Sequence, residues 1–127
     1  MSEDKKAWFG RQVARVWNEG DLDAADEFYA ADVVIHNAAP GNPGGIEGVK
    51  LTVSSVRAAL PDLKFTTEDM ITEGDKVVQR WSMTGTQEGE FMGAPPTGKK
   101  TTFGGISIVR VANGKVVEIW SAMFPPN

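Results

Sequence analysis

The chain has 127 residues, enough for one domain with a real core, and 41% of them are hydrophobic against 24% charged. Its formal charge of −4 comes from 17 acidic and 13 scattered basic residues, with no basic stripe to neutralise phosphates, which disfavours nucleic acid as a partner. Cysteine is absent, so disulfides, thiolate nucleophiles and Cys-ligated metals are excluded.

The opening "MSEDKKAWFG" lacks the apolar run of a signal peptide, and no run approaches the roughly 18 apolar residues of a membrane span. A cytoplasmic, soluble protein with no membrane partner is therefore expected, and residues 1–127 read as a single domain. Phe9, Val13, Val16 and Trp17 recur at helical spacing, and Gly20 closes that amphipathic helix. Asp21 can cap a second short helix bearing Leu22, Ala25 and Phe28 on one side. "ADVVIHNAAPGNPGG" is a short strand running into a breaker-rich loop. A third helix carries Val49, Val53, Val56 and Leu60 on one face, and Pro61 stops it. Everything beyond reads as strand: "LKFTTEDMITE" turns at "EGDK" into "VVQRWSMTGTQEGE". The loop "GEFMGAPPTGKK" leads to "TTFGGISIVRVA", and Asn113-Gly114 marks a type I′ hairpin into "KVVEIWSAMF".

This order predicts an α+β fold: a conical, curled antiparallel sheet with three N-terminal helices packed on its concave face. "GGISIVRV" and "KVVEIWSAMF" are nearly apolar on both faces, so both faces should be covered, one by helices and one plausibly by a second subunit.

Four segments have a familiar order and spacing: "VWNEGDLDAADEFYAADVVIHN", "LPDLKFTTEDMITEGDKVVQRWSMTGTQEGEFMGAPPTGKK", "GISIVRVANGKV" and "VEIWS". Together they resemble the SnoaL-like polyketide cyclase (ester cyclase) family, which has the nuclear transport factor 2-like fold. The most specific piece is "FMGAPPTGK", with the run from "PDL" to "EGD" nearly as good. The resemblance implies a helix-lined cone opening on an apolar pocket, no metal or organic cofactor, and usually a dimer. It also implies intramolecular ring closure of a polyketide ester.

In those cyclases an aspartate on the last strand removes a proton next to a carbonyl, and a histidine on the preceding strand assists. Carried over, the two positions are Ser121 in "EIWSAM" and Ser107 in "GGISIV". A serine hydroxyl has no useful basicity near neutrality without an adjacent base, so this acid–base chemistry does not transfer directly. Both hydroxyls could instead donate hydrogen bonds to a carbonyl or hold a water. If both point inward, alternation puts Gly105, Val109, Ile119 and Met123 on the same interior face and Glu118 and Trp120 outside. A dry core with both hydroxyls bonded to backbone carbonyls is the competing arrangement.

His36 is the only histidine; the resemblance puts it near the cone mouth, where it is a candidate general acid–base, or else it is a residue bonded to its own loop. One histidine without an HxH or HxxxH spacing builds no metal site, so no metal is expected. Arg80, mid-strand, either pairs with Glu68 or Asp69 or anchors a substrate carboxylate or phenolate. The resemblance sets Trp17 against the pocket, Asn37 belongs to the loop that could gate its mouth, and Phe91 and Met92 are either an apolar lid or a structural clip. The sequence leaves three functions open. It is a cofactor-independent cyclase or isomerase on a hydrophobic, polyketide-like or aromatic compound, with His36, Ser107 and Ser121 catalytic and Trp17, Asn37, Arg80, Phe91, Met92, Ile119 and Met123 contacting the substrate. Otherwise it is a non-catalytic binder of a small hydrophobic molecule, or a dimeric interaction module with a filled cone.

Overall fold

The computed structural model describes residues 2–91 and 94–124. Helix α1 (Ser2–Gln12) runs into a π-helical segment (Val13–Asn18). Phe9, Val13 and Val16 are buried from this continuous rod. Gly20, with φ of +70°, ends it, as a left-handed residue after a helix should. The Asp21 carboxylate then accepts from the Ala24 N–H at 3.2 Å and caps a 3₁₀ turn (Leu22–Ala24) that leads into α2 (Ala25–Phe28).

Strand β1 (Tyr29–Ile35) precedes the long helix α3 (Gly45–Ala59). After it come β2 (Lys64–Glu73), β3 (Lys76–Thr86), β4 (Lys100–Ala112) and β5 (Lys115–Phe124). The five strands form one curled, unclosed sheet in the order β1-β5-β4-β3-β2. At the β4–β5 turn Asn113 and Gly114 both have positive φ, 53° and 77°, as a type I′ hairpin requires.

Two expectations are corrected. The helices are not all N-terminal to the sheet, because β1 intervenes and α3 lies mid-chain. Nor is the sheet wholly antiparallel, since β1 pairs in parallel with β5, Ile35 opposite Ile119. Sequence order hides such a pairing: the partner of the first strand is the last one, and α3 with the rest of the sheet forms the crossover between them.

The helices cover the inner sheet face and bury two apolar clusters. One gathers Phe9, Val16, Phe28, Val33, Val53, Val77 and Val116; the other gathers Val13, Leu60, Phe65, Trp81, Met83 and Phe103. Trp8 packs half-buried on Phe28 at a ring distance of 5.5 Å. Among the described residues no helix covers the outer sheet face. Ile71, Ile106 and Phe124 are exposed there, next to half-buried Val78, Ile108 and Trp120.

Candidate functional site

Between helices and sheet lies a cavity of about 400 Å³, within the size range of small-molecule sites. Its walls are mostly apolar, with Phe9, Trp17, Val53, Phe65, Phe103 and Ile119 among them. The lining polar side chains are Gln12, Tyr29, Asn37, Thr52, Gln79, Ser107 and Ser121, together with the indoles of Trp17 and Trp81. Among the described lining residues none is an aspartate, glutamate, histidine, lysine or arginine.

Ser107 and Ser121 are direct cross-strand partners on β4 and β5, so both side chains project from the same inner face. Their hydroxyls lie 2.9 Å apart. The Trp81 indole donates to Ser107 Oγ at 3.0 Å, and an indole N–H can only donate. Trp81 can lie across β4 because Gly105 is opposite it in the ladder. A Cβ at Gly105 would stand 2.4 Å from Trp81 Cζ2 and 2.5 Å from the Ala122 carbonyl.

A second polar pair sits elsewhere in the wall. Gln12 Nε2 donates to the Tyr29 hydroxyl at 2.6 Å, and both residues are buried. Burial pushes the Tyr29 phenol far above its usual range, so it stays protonated. The third polar element, Gln79, spends an amide proton on Thr67 Oγ1 at 2.7 Å.

Ile119, Met123, Trp17 and Phe91 line the cavity together with the two serines. Phe91 stacks obliquely on Phe103 at 4.9 Å. Its loop is tied down by buried Gln87, whose amide donates to the Gly89, Ala94 and Pro95 carbonyls at 3.3, 3.3 and 3.1 Å. The Glu88 N–H also bonds the Ala59 carbonyl at the end of α3, at 2.9 Å. The segment is thus clipped to the helix and contributes an aromatic wall. Met92 lies outside the described residues. Asn37 borders the cavity, but its amide pairs with the Ser121 backbone, accepting from the N–H at 3.2 Å and donating to the carbonyl. It extends the β1–β5 ladder and fixes the stretch that carries the Ser121 hydroxyl.

His36 and Arg80 are not among the described lining residues. For Arg80 the ion-pair reading holds in place of the substrate anchor, and for His36 the position at the cavity mouth is corrected. Ile35 lines the cavity opposite Ile119, so alternation sends His36 to the outer face. There its ring stacks on Trp120 at 4.5 Å and its Nε2 lies 2.8 Å from Glu118, which also binds Arg110. Arg110 and His36 together hold the Glu118 carboxyl below its ordinary range. Arg80 sits between Gln79 and Trp81, both inward, and therefore points outward to Asp69 at 2.9 and 2.5 Å. A β-bulge after Thr67 turns both Glu68 and Asp69 to that face, and Glu68 takes Ser82 instead, at 2.7 Å. Gln12, Tyr29, Gln79 and Trp81 were not anticipated as site residues. Their signal was available only in part: a glutamine and a tyrosine at core spacing are both polar groups that need buried partners.

Comparison with known proteins agrees with this architecture. The family model of the SnoaL-like polyketide cyclase matches residues 9–123. No curated protein matches the chain. Among solved structures, TsrD from Streptomyces laurentii superposes with a TM-score of 0.85 at 29% identity, over 93% of this chain and 86% of that one. AclR from Streptomyces galilaeus, a proposed hydroxylase, gives 0.81 at 31% identity over 98% and 91% of the two chains. IdmH from Streptomyces antibioticus, a proposed polyketide cyclase, gives 0.73 at 34% identity over 87% and 86%. The chain belongs to the SnoaL-like polyketide cyclase family.

Proposed function

We propose that the cavity binds a neutral, largely apolar carbonyl compound of the polyketide-like or aromatic kind and promotes its ring closure without a cofactor. The observation that carries this reading is the Trp81–Ser107–Ser121 hydrogen-bond chain in an uncharged, apolar wall. With no carboxylate or imidazole among the described lining residues, the protein side has no base suited to removing a carbon-bound proton near neutrality. Its contribution is therefore positioning, plus a hydroxyl donor aimed at a carbonyl oxygen.

Ring closure balances on those terms when the substrate enters as its enol. The enol carbon forms the new bond to the carbonyl carbon, the carbonyl π bond breaks, and the enol proton passes to the new alkoxide oxygen. A serine hydroxyl stabilises the charge developing on that oxygen. A 1,5-diketone such as 2,6-heptanedione, which can close a six-membered ring, provides the test by NMR. Faster closure with protein than in buffer, lost in the Ser107→Ala/Ser121→Ala double variant, is expected. Binding without any acceleration points to the second reading, a non-catalytic carrier, which the uncharged lining itself favours.

The outer sheet face supports a homodimer. Ile71, Val78, Ile106, Ile108, Trp120 and Phe124 give it an apolar band, interleaved with the self-paired ions Arg80–Asp69 and Arg110–Glu118. A second copy placed across it meets the same mixture of apolar surface and paired charge, as an isologous contact requires.

A further inference from the structure

The cavity polar groups leave a specific hydrogen-bond remainder. Ser107 and Ser121 own two hydroxyl protons, and their mutual contact at 2.9 Å uses one. The Trp81 N–H fills an acceptor site on Ser107 and takes up no hydroxyl proton. Among the described residues neither hydroxyl has another partner, so one proton of the pair is spare whichever serine donates to the other. The same count applies to the second pair. Gln12 donates to Tyr29, so the phenolic proton has no acceptor among the described residues. Tyr29 is only 5% exposed and lines the cavity, so that proton can be satisfied only from inside it. A buried donor without an acceptor costs on the order of 1–3 kcal/mol, so each remainder favours an acceptor supplied by a ligand or by water.

We infer that Gln12 and Tyr29 form a second ligand subsite, and that the cavity recognises a neutral molecule carrying two acceptor oxygens, one at the serine pair and one at the Tyr29 hydroxyl. Tyr29 is opposite Val116 in the β1–β5 ladder, and Ser121 is further along β5. At about 3.3 Å per residue their Cα positions are roughly 16 Å apart along the strand. Both groups line the same cavity, so one ligand can bridge them across the apolar middle. Because the phenol remains protonated, a second carbonyl is favoured there, and an ammonium or a hydrogen-bond donor alone is not. This inference rests on the proposed carbonyl contact at the serine pair.

The test is a ligand ladder on the wild-type protein, followed through the fluorescence of the cavity residues Trp17 and Trp81 or by NMR. Decane, 2-decanone and the decanediones from 2,5 to 2,9 share one chain length and differ in the number and spacing of carbonyls. At least one diketone is expected to bind about three- to tenfold tighter than 2-decanone, the gain of one neutral hydrogen bond. In Tyr29→Phe that gain disappears while 2-decanone affinity is kept. If every diketone equals 2-decanone, and the excess of 2-decanone over decane is lost in Ser107→Ala/Ser121→Ala but kept in Tyr29→Phe, the second subsite is overturned and the serine contact stands. If 2-decanone equals decane, the serine contact fails as well. The wild-type comparison decides the matter even if Tyr29→Phe does not fold.

Discussion

Trp81 Nε1 donates to Ser107 Oγ at 3.0 Å and so ties the indole to the Ser107–Ser121 hydroxyl pair in the cavity wall. Trp81→Phe keeps most of the ring volume and removes the donor. Apolar binding, read with decane, is expected to survive, while 2-decanone binds roughly 2- to 10-fold more weakly, the range for one neutral hydrogen bond. Equal weakening of both ligands would mean that the ring acts only by shape.

Gly105 is the seat of that indole. An added methyl meets the Ala122 carbonyl at 2.5 Å, and backbone in mid-sheet has little room to move. Gly105→Ala is expected to destabilise the fold by about 1–3 kcal/mol, read from chemical denaturation. In the folded fraction it should also disturb the Trp81–Ser107 contact. An unchanged midpoint and unchanged tryptophan emission would remove this role.

His36 faces away from the cavity, so His36→Ala is expected to leave ligand affinity and turnover within about twofold, against the large losses typical of a removed general base. For the same reason binding should be flat from roughly pH 5.5 to 8.5, because no group titrating there lines the described cavity. An inflection near the ordinary histidine range that vanishes in His36→Ala would return the imidazole to the site.

The helix spacings, the Asn113-Gly114 turn and the inward parity of Ser107 and Ser121 could all be read along the chain, because each depends on local periodicity or turn chemistry. His36 could not. Its direction follows from pairing with Ile119 across the whole chain, and strand-end parity is invisible until that register is known. Arg80 was ambiguous for a related reason: the bulge after Thr67 adds one residue and puts two successive carboxylates on one face. The Gln12–Tyr29 pair joins a helix to a strand 17 positions away, a contact that neither periodicity announces.

Acid should weaken the fold through Glu118 and Asp62. The carboxyl of Asp62 is lowered first by the Thr86 N–H and then by its hydroxyl, at 2.6 and 2.8 Å. That of Glu118 is lowered first by Arg110 and then by His36. A carboxyl held below its unfolded value stabilises the fold above that value and loses the contribution as pH falls through the folded one. Stability should therefore be level above the carboxylate range and decline below it, and Asp62→Asn should flatten part of that decline. A decline of the same steepness in wild type and Asp62→Asn would remove Asp62 from the account.

The outer face makes its own prediction. Ile106→Lys/Ile108→Lys places two cations in its apolar band, and light scattering should then report a monomer, against the dimer proposed for the wild type. A wild-type monomer at micromolar concentration would overturn the sheet-to-sheet dimer without touching the cavity.

Whether the serine hydroxyls hold a carbonyl can be read from the infrared carbonyl stretch of bound 2-decanone. The band is expected to lie below its position in hydrocarbon solvent and to return to that position in the Ser107→Ala/Ser121→Ala variant. A bound ketone whose band matches hydrocarbon in the wild type would contradict it.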